Sequence, residues 1–125
     1  MNSGQDRILV VEDDAATRDG LTGLLEAEGF AVTAAANGRE ALDILAGIPP
    51  PQLILLDLLM PVMDGWQFLA EHRRGKPSRR GAPVVLLSGL GFISGAPGVA
   101  DFLRKPVEPA ALLACVRRFC GTARA

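Results

Sequence analysis

Asp13, Asp14, Asp57, Ser88 and Lys105 are the side chains whose types and positions could do chemistry together. Each stands at the end of a short run that reads as a strand. Ile8-Leu9-Val10-Val11 leads into Glu12-Asp13-Asp14, Leu53-Ile54-Leu55-Leu56 into Asp57, Val84-Val85-Leu86-Leu87 into Ser88, and Asp101-Phe102-Leu103-Arg104 into Lys105-Pro106. Clustered carboxylates repel one another and need a counter-charge. Lys105 offers one, and a divalent cation offers more. Magnesium takes oxygen ligands and is held by one or two carboxylates, waters and phosphate oxygens. No histidine or cysteine joins the pattern, which disfavours zinc. A carboxylate beside magnesium, a hydroxyl and an ammonium is equipped to accept a phosphoryl group, with Asp57 as the nucleophile. Magnesium and Lys105 would each neutralise a phosphoryl oxygen, and Ser88 would donate a hydrogen bond to another. The new charge on Asp57 would draw Ser88 toward it, and Phe102 could fill the space Ser88 leaves.

These side chains converge only if the strands share a sheet and point the same way. Short continuous apolar runs are the mark of strands buried on both faces, as in a parallel sheet covered by helices. Such sheets keep their chemistry at the carboxyl ends of the strands. Helical patterns fill the gaps. Leu21, Leu24 and Leu25 follow Asp14, a natural cap, and stop at Gly29. Phe30 to Ala36 reads as a weaker strand around Val32, and Asn37-Gly38 as a turn. Ala41, Leu42 and Leu45 form the inner face of a short helix closed by Gly47. A helix opening at Asp64-Gly65 carries Trp66, Phe68 and Leu69 and ends near Arg73-Arg74. A last helix, entered at Pro109, carries Leu112, Val116 and Phe119 up to Gly121. Strands alternating with helices through short connections give an α/β fold with right-handed crossovers. One crossover breaks the rhythm. Residues 90–100 hold three glycines and a proline, which oppose a helix interior, so at most one distorted turn is expected there.

Composition narrows the field. The chain of 125 residues suits one domain, is 49% hydrophobic and 22% charged, and carries a formal net charge of -1. That balance argues against a general nucleic-acid binder. No apolar run reaches membrane-spanning length and no signal-peptide core is present, so no membrane or nucleic-acid partner is expected. Cys115 and Cys120 sit five apart on the last helix and point different ways, which suits no disulfide and fits a reducing cytoplasm.

Four motifs together resemble the receiver domain of bacterial two-component response regulators. They are Val11-Glu12-Asp13-Asp14, the run from Leu56-Asp57-Leu58 through Leu59-Met60-Pro61 to Val62-Met63-Asp64-Gly65, Leu87-Ser88-Gly89, and Lys105-Pro106. The likeness runs from Ile8 to Gly121, making residues 1–125 a single receiver domain with its core at about 7–121. It implies a flavodoxin-like three-layer sandwich, with a five-stranded parallel sheet in the order 2-1-3-4-5. Asp57 would be the phosphoacceptor. Asp13, Asp14, Asp57 and the backbone carbonyl of Leu59 would hold Mg2+. Ser88 and Phe102 would form a switch pair, and the Lys105-Pro106 bond would be cis. The phosphodonor would be a sensor histidine kinase or a histidine phosphotransfer protein. The domain would catalyse only its own phosphorylation and dephosphorylation. Leu59 and Leu90, apolar where the family flanks the phosphate, imply slow self-dephosphorylation. The chain departs from the family between Ser88 and Lys105, where it is shorter by more than one helical turn. The fourth helix is therefore expected to be shortened or absent, and with it part of the family's usual output surface. No output domain is expected after Ala125.

Other readings stand beside these. The site could be a phosphorylation-independent pseudo-receiver that only binds protein, or a phosphohydrolase with an aspartyl nucleophile. The latter would want an acid-base carboxylate two residues after Asp57, where Leu59 stands. Phe102 could be plain core. The basic run at residues 73–80 reads as a solvated loop, Trp66 and His72 as helix-packing and surface residues, and Phe92 and Ile93 as cover for the core.

Overall fold

The computed structural model describes residues 7–58, 62–74, 82–89 and 99–120. The elements run β1 (Arg7–Val11), α1 (Ala15–Ala27), β2 (Ala31–Ala35), α2 (Gly38–Gly47), β3 (Leu53–Asp57), α3 (Gly65–Arg73), β4 (Val84–Ser88), β5 (Val99–Arg104) and α4 (Pro109–Cys120). The five strands form one sheet, all parallel, in the order β2-β1-β3-β4-β5. This is the expected flavodoxin-like architecture, with four helices among the described residues. The crossover expected to lack a full helix falls on residues 90–98, outside the described residues.

The two central apolar runs behave as their composition requires. Every residue of β3 and β4 is buried. Alternate side chains feed two separate cores. Leu9, Val11, Ile54, Leu56 and Leu86 pack toward Phe68 and Leu69 of α3 and Ala41 and Leu45 of α2. Ile8, Val10, Leu53, Leu55 and Leu87 pack toward Leu25 of α1 and Leu112 and Val116 of α4. Burying each such side chain contributes about 1.5–3 kcal/mol. The strand carrying Asp57 is therefore anchored on both faces. The outer strands, β2 and β5, are only partly buried, which is why their sequence patterns are weaker.

Helix ends follow from local chemistry. Asp14, Asn37 and Asp64 cap α1, α2 and α3 by accepting from Thr17, Glu40 and Gln67 N–H groups. Asp64 and Gln67 complete a reciprocal capping box. Gly29, just after α1, has φ 98°, a conformation glycine reaches without a Cβ penalty. The strand expected at residues 101–106 starts earlier and stops earlier. Val84 pairs with Val99 and Val85 with Asp101, so Ala100 is an extra residue that hides the strand's start from a periodicity reading. Pro106 has no amide to extend the ladder. No described helix is long and apolar enough to cross a membrane.

Candidate functional site

The strand order decides which side chains meet. β1 and β3 are neighbours, with Val11 opposite Leu56, so the residues that follow them emerge side by side. Asp57 lies opposite Leu87, and Ser88 opposite Arg104. The Lys105 N–H donates to the Ser88 carbonyl at 2.9 Å, which fixes where the lysine leaves the sheet. Its Nζ then sits 2.8 Å from Glu12 Oε1 and 3.2 Å from Asp57 Oδ1. The Lys105-Pro106 bond is cis, as the family likeness implied.

Carboxylate oxygens of Glu12, Asp13 and Asp57 all lie within 4.8 Å of one another. Glu12 is fully buried, Asp57 is 4% exposed, and Asp13 is exposed. One ammonium faces three carboxylates, so the group carries a charge deficit. Burial pushes the Asp57 carboxyl up to about 7, with help from a hydrogen bond to Asp13 and the charge of Glu12, while Lys105 pulls the other way. Burial also opposes the Lys105 ammonium, but its hydrogen bond to Glu12 and the charge of Asp57 outweigh that and raise its pKa. A proton shared among the acids is one answer to such crowding, and a dication is another. Three hard oxygen donors with open solvent on the Asp13 side fit a magnesium-like ion.

The sequence reading placed Asp14 in this group, and the geometry corrects it. The Asp14 carboxylate accepts from both the N–H and the hydroxyl of Thr17, at 2.8 and 2.7 Å. Those bonds hold its pKa below the ordinary carboxylate value. Its cap role stands, and Glu12 takes its place among the acids. The missed signal was positional. Glu12 is the first residue past the buried run, so it emerges at the sheet edge, whereas Asp14 directly precedes the helix and serves it as a cap.

Ser88 is buried, 2% exposed. Phe102 pairs with Leu86 across the ladder and is partly buried against the α2/α3-side core. Ser88 stands two residues after Leu86, so it shares that sheet face with Phe102. Leu59 and Leu90 fall outside the described residues, as do Phe92, Ile93 and residues 75–80 of the basic run. Trp66 and His72 exchange their expected places. Trp66 is 43% exposed, while His72 is buried and stacks on Phe68 with ring centroids 5.6 Å apart. The spacing explains it, since residues four apart share a helix face and Phe68 faces the core. Both cysteines are free, as expected.

Gly65 holds the strand end from the other side. Its N–H donates to the Leu58 carbonyl at 2.8 Å. A Cβ there would meet the Leu58 Cα at 2.9 Å and the Asp57 and Leu58 carbonyl oxygens at 3.1 Å.

Comparison with known proteins agrees with this geometry. Residues 8–117 match the family described as the response regulator receiver domain. The DNA-binding response regulator MtrA of Mycobacterium tuberculosis is 36% identical over 94% of this chain, which spans about half (51%) of that protein's length. The signal receiver domain of a signal transduction histidine kinase from Syntrophus aciditrophicus is 34% identical, with a TM-score of 0.77, covering 91% of this chain and 89% of that one. The receiver domain of a sensor histidine kinase from Pseudomonas aeruginosa, with a magnesium ion coordinated in its active site cleft, is 27% identical, with a TM-score of 0.83, covering 94% and 99%. With its parallel sheet, its acids gathered around one strand-end aspartate and these relatives, this chain belongs to the family of response regulator receiver domains.

Proposed function

We propose that this domain accepts a phosphoryl group on Asp57 from the phosphohistidine of a sensor histidine kinase or histidine phosphotransfer protein, with Mg2+ at the acidic cluster, and signals through the resulting change of shape. The observation that carries the reading is the Glu12–Asp13–Asp57 group with Lys105 bridging two of its members. An Asp57 carboxylate oxygen forms the new P–O bond as the P–N bond of the donor breaks, and the electron pair stays on the donor imidazole nitrogen, which takes a proton from solvent. Glu12, Asp13 and Asp57 would hold the ion, with the Leu59 carbonyl as a further oxygen. Bound there, magnesium supplies charge that neutralises phosphoryl oxygens. Lys105 steadies the Asp57 oxygen it already touches, and Ser88 donates to the phosphoryl group once it moves inward. Phe102, on the same sheet face, follows Ser88 and carries the change to the β5 side. Asp57 is nucleophilic only when ionised; without metal, burial pushes its carboxyl up to about 7, and a dication at the cluster would favour the ionised form.

The phosphodonor needs a seat beside the nucleophile. A groove of about 640 Å³, lined by Thr17, Gly20, Leu24, Lys105, Pro106 and Val107 among others, runs from α1 to the segment after β5. Its apolar floor ends at the lysine that faces Asp57, which suits a helical donor presenting a histidine.

The test is incubation with Mg2+ and either a small phosphodonor or a purified kinase, followed by intact-mass measurement. One added phosphate on the wild type and none on Asp57→Ala is expected. No added phosphate from any donor, or undiminished labelling of Asp57→Ala, would overturn the proposal. Magnesium binding without phosphate transfer would point instead to a protein-binding module.

A further inference from the structure

The turn that delivers Glu12 and Asp13 is held from an unexpected direction. Arg18, from α1, sends its Nη1 back to the Glu12 carbonyl at 2.9 Å and lies 3.4 Å from the Asp13 carbonyl. Glu12 is tied at other points as well. Its N–H donates to Ala35 O at 3.0 Å, and its Oε2 accepts from the Asp14 N–H at 3.1 Å. Asp13 is different, because its side chain is exposed and its direction follows from the two peptide planes around it. Arg18 is the side chain that spans both carbonyls. Both contacts come from the one nitrogen, Nη1, which straddles the two carbonyls.

We propose that Arg18 is a positioning residue for the acidic pair, fixing the Glu12–Asp13 turn so that both carboxylates face the ion beside Asp57. This role rests on the function proposed above. Contacts of this kind, one step out from the ligands, set how well the ligands are preorganised, and losing one costs ten- to hundredfold in metal affinity. The alternative is that Arg18 matters only as a positive charge near the acids. The two roles have opposite signs. A bare cation repels a dication, so removing it would tighten binding, whereas removing a positioning contact loosens it.

Isothermal titration of Mg2+ into the 125-residue chain at pH 8 separates them, with Arg18→Ala and Arg18→Lys compared to wild type. Circular dichroism and urea midpoints establish that each protein is folded under the titration conditions. The expected result is a ten- to hundredfold loss of affinity in Arg18→Ala and a smaller loss in Arg18→Lys, which keeps the charge and a nitrogen donor on a more mobile stem. Labelling of Arg18→Ala by a small phosphodonor should return to the wild-type extent at saturating Mg2+, a recovery that a damaged fold would not show. Should Arg18→Ala fail to fold, Arg18→Lys alone carries the comparison. Unchanged or tighter binding in a folded variant overturns the role of Arg18. A wild type that binds no Mg2+ overturns the proposed function, and this role with it.

Discussion

Replacing Asp57 with asparagine removes a charge that the fold keeps at a cost. The wild-type carboxyl is pushed from 3.8 up to about 7, chiefly by burial. The folded state therefore holds the proton more tightly than the unfolded chain does. Stability falls as pH rises from about 4 to about 7 and is level beyond. At about 1.4 kcal/mol per pKa unit, the rise from 3.8 to about 7 corresponds to somewhat over 4 kcal/mol. Water at exposed Asp13 and partly exposed Lys105 screens part of it, leaving roughly 2–4 kcal/mol. Asparagine matches the protonated acid in shape and has no charge to lose. It does not strand Lys105, whose Nζ keeps Glu12 at 2.8 Å. In urea titrations with a chelator present, Asp57→Asn should exceed wild type by roughly 2–4 kcal/mol at pH 8 and by under half of that at pH 5. Adding Mg2+ should close the gap from the wild-type side, by about 2.7 kcal/mol at a hundred times Kd. A gain that is equal at both pH values, or a variant less stable than wild type at pH 8, would refute this account of the site.

Gly65→Ala should destabilise by about 1–3 kcal/mol in urea titrations and slow phosphoryl labelling, because its new Cβ meets strand backbone rather than a flexible side chain. A stability equal to wild type would contradict the close approach. Val62 is 78% exposed and has φ 70°, a region costly for a β-branched residue. Val62→Asn should raise the urea midpoint by an amount equivalent to about 1 kcal/mol, and a lowered midpoint would count against backbone strain there.

The sheet was largely legible in the sequence, because strands buried on both faces leave uninterrupted apolar runs and strands at the edge do not. The run 53–57 coincides with β3 and the run 84–89 exceeds β4 by Gly89 alone, while the start of β5 is lost at Ala100, an extra residue no period accommodates. The Asp14 cap was legible for a related reason, since it acts within three residues of itself, while Asn37, read as a turn, caps α2. The acidic cluster was harder. Three consecutive acids share one sequence signature, and the pull of Thr17 on Asp14 is what leaves Glu12 beside Asp13 and Asp57. Arg18 left no trace, because a side chain reaching back to carbonyls five and six residues earlier has no sequence signature. His72 is polar and so reads as surface, but its four-residue spacing from Phe68 turns it toward the core.

The sheet also works as a partition. Leu25 and Phe68 belong to apolar clusters on opposite sides of it, and neither cluster shares a residue with the other. Their substitution costs should therefore sum almost independently. Repacking one layer, to stabilise the domain or to reshape its α1 face for a new donor, leaves the opposite layer free to be varied in a separate experiment.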